Sequence, residues 1–325
     1  MIISKTPIRL TLFGGGTDYP IFFNKYGGET LSFAINKYSY ILVKKNNNYN
    51  KYKYLLSYKN IEKVNNISSI NHPSIRETFN YLKISNGLEI HYTGDIPAKT
   101  GLGSSSSFTV GLLKSLYELN GKKINNFEIA KKAIFIEQNL IKENVGCQDQ
   151  FTTALGGVLN IKYKKNKFLI NKLKFNKNNI YQLEKSIILF FTGIERNASK
   201  SLKEQIKNTS LGKNTQNLIA IKTQVNEAKK IIKNKIDIKL LGELLNENWE
   251  IKKKLSKNIK NNSINEIYLK ALSYGIYGGK LVGAGSGGFL MFLCSESVKR
   301  KLKKKFYKLK YIEIKIDHIG SEIIL

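Results

Sequence analysis

The segment Pro97-Ala98-Lys99-Thr100-Gly101-Leu102-Gly103-Ser104-Ser105-Ser106-Ser107 carries the strongest chemical signal in the chain. Its glycines let the backbone come close to a ligand and take conformations closed to other residues. Its serines supply hydroxyls and helix-capping oxygens. A helix that begins in this run aims free N–H groups and a positive dipole end back into the loop, which suits a phosphate. A serine hydroxyl beside phosphates is also an oxygen ligand for a hard cation such as Mg2+. Taken alone, the same residues also describe a Ser-rich cap after a turn. No G-x-x-x-x-G-K-[ST] pattern occurs, so this is not a Walker A loop.

Two further glycine clusters flank it in sequence. Gly283-Ala284-Gly285-Ser286-Gly287-Gly288 fits G-x-G-x-x-G, but a dinucleotide site needs a helix directly afterwards and FLMFLC continues as a strand. A protein-kinase glycine loop is strand–turn–strand, yet no H-R-D or D-F-G follows. A plain glycine hairpin explains the cluster equally well. In Gly14-Gly15-Gly16-Thr17-Asp18 a carboxylate follows a flexible loop, which reads as a tight turn or a ligand loop. His72, His91 and His318 are scattered, and neither they nor Cys147 and Cys294 show metal-ligand spacing.

These clusters need elements to hold them. Residues 1–13 read as a strand running into the first glycine cluster. Residues 30–44, rich in Tyr, Ile and Val, read as a strand or hairpin, and 46–53 as a polar turn. Pro73 suits the first turn of a helix over 73–84. A strand over 88–95 leads into the serine loop, and the helix that follows carries an apolar stripe. A second amphipathic helix is expected over 126–141, a short helix or turn over 147–155, and strands near 156–162 and 167–174. The polar stretch 176–185 marks a boundary, dividing the chain into 1–180 and 181–325. Beyond it come a buried strand at 186–193, helices within 197–233, 237–255 and 264–276, a strand–turn–strand, a helix near 296–308 and a strand at 311–317. No internal repeat is visible. Both halves mix strands and helices, so each is expected to be α+β.

The three glycine clusters, in this order, resemble those of the GHMP kinases, the superfamily of galactokinase, homoserine, mevalonate and phosphomevalonate kinases. The run Pro97 to Ser106 is similar to the family's P-x-x-x-G-L-x-S-S-A phosphate loop, with Ser106 where Ala is usual. Pro7-Ile8-Arg9 through Asp18 resembles the first motif, and Lys280 through Gly288 the third. Where galactokinases carry an acidic–histidine pair, this chain has Gly15-Gly16. In that it resembles the heptose 7-phosphate kinases and the related fucokinase-like proteins. The resemblance implies a two-domain α+β fold. A ribosomal S5 domain 2-like domain (1–180) would bind ATP, and a ferredoxin-like domain (181–325) would complete the cleft.

It also implies roles. Pro97, Lys99, Gly101, Leu102, Gly103, Ser104, Ser105 and Ser106 would cradle ATP. Ser105 and Glu137 would ligate Mg2+, with Gln138 and Glu143 as the neighbouring candidates. Asp149 would be the base for the acceptor hydroxyl, and Arg9 would lie beside it and the γ-phosphate. Gly15, Gly16, Thr17, Asp18, Gly157 and Gly285 would meet the sugar. A sugar phosphate also needs a cation for its distal phosphate. Arg196 and Lys200, four residues apart and so on one helix face, are the candidates. The implied reaction is ATP-dependent phosphorylation of the anomeric hydroxyl of D-glycero-D-manno-heptose 7-phosphate. Another hexose kinase of the superfamily is the alternative.

Composition sets outer limits. The chain has 325 residues, 42% hydrophobic, enough for a sizeable core. Its net charge is +30, from 54 basic and 24 acidic residues. All the basic residues except Arg9, Arg76, Arg196 and Arg300 are lysines. Specific nucleic-acid recognition favours Arg, whose planar fork binds bidentately, so the lysines read as a solvated surface that attracts anionic small molecules. A basic nucleic-acid-binding protein remains the alternative of another class. Two cysteines cannot form a disulfide framework, no secretory leader is recognisable, and no run of 18 apolar residues spans a membrane. A cytoplasmic protein with ATP and a small sugar phosphate as partners, without nucleic acid or membrane, is the expectation.

Overall fold

The computed structural model describes residues 1–325 apart from 48, 49, 99, 166, 195–197, 234, 260 and 284–286; at 198–201 and 258 it describes the backbone alone. Its strands are β1 (Ile2–Phe13), β2 (Gly28–Lys45), β3 (Tyr54–Ser57), β4 (Ile61–Val64), β5 (Leu88–Gly94), β6 (Val158–Lys164), β7 (Lys167–Leu173), β8 (Ile187–Phe191), β9 (Gly278–Leu281), β10 (Phe289–Leu293), β11 (Tyr311–Ile312) and β12 (Glu322–Ile323). Its helices are α1 (Pro20–Tyr26), α2 (Pro73–Leu82), α3 (Ser104–Leu119), α4 (Asn126–Phe135), α5 (Gln148–Leu155), α6 (Lys177–Ser186), α7 (Ala198–Ser210), α8 (Thr215–Lys233), α9 (Ile238–Lys252), α10 (Asn262–Ser273) and α11 (Glu296–Lys305).

The strands form two sheets. One runs β12-β1-β2-β5-β3-β4, with β6 and β7 branching from β2; the other runs β11-β8-β10-β9. In chain order the second sheet reads fourth, first, third, second, and all its pairs are antiparallel. This is the ferredoxin-like arrangement expected for the second half. The mixed α+β class expected of the whole chain is what the structure shows.

Strand β1 explains how the core and the cleft share one element. Side chains alternate across a strand. Ile8, Leu10 and Leu12 enter a core cluster with Val225 and Ala228 of α8 and Leu241 and Leu245 of α9. Each such burial is worth roughly 1.5–3 kcal/mol. Arg9 and Thr11 therefore point to the opposite face, where they meet Asp149 and Gln148 in the first turn of α5.

Some local expectations are sharpened or corrected. Residues 30–44, read as a strand or hairpin, belong to one 18-residue strand. The polar stretch is helical over 177–185, within α6, which Asn176 caps through its side chain. The expected helix over 126–141 ends at Phe135 and continues as a π-helical turn, Ile136–Leu140. The last expected strand is regular only at Tyr311–Ile312; beyond it Ile316 bridges to Ile35, and β12 pairs with β1. The chain's end thus returns to the first sheet. The short elements α1, β3 and β4 had no legible pattern. Among the described residues, no helix is long and apolar enough to cross a membrane.

Candidate active site

A cavity of about 570 Å3 collects residues from all three glycine clusters. Gly15, Gly16 and Asp18 come from the first, Gly101, Gly103, Ser104 and Ser105 from the second, and Gly283 from the third. Arg9 and Asp149 line it too. The second and third clusters meet backbone to backbone. A Cβ on Gly101 would fall 2.6 Å from the Val282 carbonyl, and one on Gly283 would strike Gly101 itself. Both residues also have positive φ. Only glycine allows this seam.

The phosphate loop ends at Gly103, the N-cap of α3, with φ +74° and no side-chain cap. The serines thus do not cap their own helix, and its first amides are left for a ligand. Ser105 is exposed at the cavity wall. Ser106 is buried and donates to the Glu137 Oε2 at 2.9 Å. Leu102 packs into the core and its carbonyl accepts from the Arg9 amide. Pro97 contributes a carbonyl to the Thr100 hydroxyl. Lys99 lies outside the described residues.

Below the loop, Arg9 and Asp149 form a bidentate pair. Nε donates to Oδ1 and Nη2 to Oδ2, both at 2.7 Å. The third arm of the guanidinium reaches the Gly101 carbonyl. Asp149 does not cap α5, whose N-cap is Cys147. Asp18 is buried, accepting from the Gly16 amide at 3.0 Å and the Gln148 amide at 3.4 Å. Burial, and then the charge of Asp149, push its carboxyl up to about 6. Thr17 turns away from the cavity and holds the turn closed through Gly14 and Glu29.

Glu137 is fully buried and does not line the cavity. Ser106 and Gln150 both donate to its Oε2, while Oε1 has no hydrogen-bond partner among the described residues. Burial pushes this carboxyl up to about 7. Glu143 does reach the cavity wall, whereas Gln138 bonds the Val145 carbonyl and Cys147. The described residues contain no group of three or more His, Cys, Asp or Glu that could hold a metal. The Ser105 hydroxyl on the cavity wall suits a hard cation that takes its remaining ligands from phosphate and water, whereas Ser106, not Ser105, faces Glu137, so the described structure does not bring the two expected ligands together.

Gly157 stands apart from the cavity: it turns the chain into β6, its amide bonded to the Asp317 carbonyl. The resemblance had placed it at the sugar, but it is not among the residues that line the cavity. Arg196 and Gly285 lie outside the described residues, as does the side chain of Lys200, although Leu202 and Gln205 of the same helix reach the cavity.

Two groups of cavity residues were missed. At one end, His72 stacks on Phe108 at 4.7 Å and Tyr92 meets Phe108 edge-on at 5.1 Å. This makes an apolar slot beside the serine loop. Their separations along the chain follow no period, so no sequence signal marks them. On the opposite wall are Asn248, Lys252 and Lys280. Lys280 opened the third motif, but its burial could not be read. Lys252 sits in an ordinary helical pattern.

Comparison with known proteins agrees with this geometry. Residues 71–157 match the GHMP kinases N terminal domain, and residues 228–309 the GHMP kinases C terminal domain. A D-glycero-alpha-D-manno-heptose 7-phosphate kinase of Campylobacter jejuni is 31% identical, over 94% of this chain and 93% of its own. A mevalonate kinase of Methanocaldococcus jannaschii is 29% identical, over 94% and 96%. The crystal structure of a D-glycero-D-manno-heptose 1-phosphate kinase from Bacteroides thetaiotaomicron superimposes with a TM-score of 0.81 at 23% identity, covering 100% of this chain and 99% of that one. The chain belongs to the GHMP kinases, and is therefore a phosphotransferase.

Proposed function

We propose that the chain transfers the γ-phosphoryl group of ATP to the anomeric hydroxyl of D-glycero-D-manno-heptose 7-phosphate, giving the 1,7-bisphosphate. The observation that carries this is the Arg9–Asp149 pair, set between an uncapped phosphate loop and the buried Asp18. The heptose kinase named among the relatives supports the sugar, as does Gly15-Gly16 in the first turn.

In this reading the amides of Ser104 to Ser106 hold the β- and γ-phosphates, and the His72–Phe108–Tyr92 slot takes the adenine. Asp18 accepts hydrogen bonds from sugar hydroxyls, contacts that discriminate strongly because a lost one leaves a buried carboxylate unpaired. Each Asp149 oxygen keeps a lone pair beyond the one given to Arg9. Asp149 takes the acceptor proton as the new oxygen–phosphorus bond forms and the bond to the β-phosphate oxygen breaks. Arg9 orients Asp149 through its two hydrogen bonds and offsets charge on the transferring group. Ser105 would offer its hydroxyl to Mg2+, which offsets the phosphates' charge, while Glu137 holds Ser106 from behind the loop. Arg196 with Lys200 would grip the 7-phosphate. The division at residue 180 would separate the ATP-binding half from the half that closes the cleft.

The test is a panel of heptose, sedoheptulose and hexose phosphates, with the free sugars, incubated with ATP and read by phosphorus NMR. A new anomeric phosphate on the heptose 7-phosphate alone is expected. Comparable turnover of unphosphorylated hexoses would replace this reading with the fucokinase-like one. Arg196→Ala should raise KM for the sugar phosphate far more than for ATP.

A further inference from the structure

The C-terminal wall of the cavity holds two buried ammonium groups, Lys252 (8% exposed) and Lys280 (3% exposed). Removing such a charge from water costs several kcal/mol unless something compensates. Among the described residues neither has a carboxylate partner. Lys280 donates to the Leu12 carbonyl and so ties β9 to β1. Lys252 donates to the Gly283 carbonyl at 2.5 Å and the Leu281 carbonyl at 3.4 Å. An ammonium has three N–H donors, which leaves Lys252 one beyond these two.

The position of Lys252 is informative. Gly283 lies against Gly101, and Gly101 accepts from Arg9. Lys252 and Arg9 thus brace one seam, between two glycine turns, from its two sides. Both line the cavity that Ser104 and Ser105 also line. Burial, and then the nearby Arg9, lower the Lys252 ammonium to about 8, with Asp18 opposing. It is still charged near neutral pH. Burial, and then the charges of Lys252 and Arg9, hold Lys280 well below the usual lysine range, so Arg9 and Lys252 are the cations that face a cavity also lined by Asp18, Glu143 and Asp149. Arg9 is taken up by Asp149, whereas Lys252, bonded among the described residues only to carbonyls, keeps one N–H for an anion.

We propose that Lys252 contacts the terminal phosphate of the nucleotide from the C-terminal wall and stays on it as the phosphoryl group moves, opposite Arg9. Its attachment to the turn that packs on the phosphate loop favours this phosphate over the acceptor's own, which lies at the far end of the sugar. Lys280 acts as a strut between the sheets. The proposal rests on the kinase reading given above.

Calorimetric titration of Lys252→Met with the non-hydrolysable analogue AMP-PNP and with ADP, both with Mg2+, tests it. AMP-PNP should bind at least tenfold more weakly while ADP changes less than threefold. The kcat should fall about 10²–10³-fold, the range for losing one preorganised donor, with KM for the sugar phosphate unchanged. Lys252→Arg should recover part of this. Equal losses for both nucleotides would make Lys252 a structural brace, and a loss confined to the sugar phosphate KM would put it on the acceptor; either overturns the proposal, as does an unchanged enzyme. If the Met variant does not fold, wild-type crystals with ADP and aluminium fluoride decide. Nζ within hydrogen-bond distance of a fluoride supports the contact, and Nζ held only by Leu281 and Gly283 overturns it. Wild-type chain that binds no ATP would instead end the kinase reading, so the two failures are distinct.

Discussion

The two walls of the cleft are built differently. On the N-terminal wall, Asp18 and Ser105 stand in a turn and at a helix start that carry glycine or serine fingerprints, while Arg9 lies within β1 and Asp149 in the first turn of α5. On the C-terminal wall, Asn248 stands in the last turns of α9, Lys252 is the final residue of that helix and Lys280 belongs to the short strand β9, with no such fingerprint at Asn248 or Lys252. The first wall binds with backbone amides and paired charges, and its chemistry is written in short segments. The second contributes single side chains whose meaning depends on what lies opposite. A polar group in a regular element declares itself only when burial leaves it without an obvious partner, as with Lys252.

Breaking the N-terminal wall should cost most. Asp149→Asn keeps the shape but cannot take the acceptor proton, so kcat should fall about 10²–10⁴-fold with nucleotide affinity largely kept; steady-state kinetics with ATP titration checks both.

A second way to probe that wall is pH. Asp18 has an ordinary value of 3.8 and is pushed up to about 6 in the folded chain. Protonation below 6 removes an acceptor for sugar hydroxyls, so kcat/KM for the sugar should fall about tenfold per pH unit below that point, while ATP binding does not follow. The sign for stability is opposite. Between about 4 and 6 the folded chain holds a proton that the unfolded chain has lost, so this group adds stability as pH falls through that window. Asp18→Asn should lessen the slope in thermal melts across pH 4–6 and leave the part owed to Glu137, whose carboxyl is pushed up to about 7.

The seam between the walls gives a smaller effect. Ala at Gly101 must keep φ at +83° and its Cβ would press on the Val282 carbonyl. The backbone term alone is about 1–3 kcal/mol, so the melting temperature should drop by several degrees, with KM raised for ATP. A normal melt would mean that the two turns separate easily. Smallest is the aromatic slot: His72→Ala removes one stacked ring, worth roughly 0.5–1.5 kcal/mol, and should raise KM for ATP a few-fold without changing kcat. A matching rise for the sugar would place the slot at the wrong end of the cleft.

The sequence by itself determined the mixed α+β class, the three glycine turns, and the residues that depend on local patterns. Arg9 and Ser105 were legible because they stand in short motifs that resemble those of the family, although the serines were expected to cap their helix and do not. Tertiary structure decided the rest. It turned Thr17 and Gly157 away from the cavity, set Glu137 behind Ser106, made a helix of the polar stretch at 177–186, and stacked His72 on Phe108. It also buried Lys252 and Lys280 across from Arg9. The physical reason is that burial and charge pairing are set by residues far apart along the chain, and a single sequence encodes those meetings only through the complete fold.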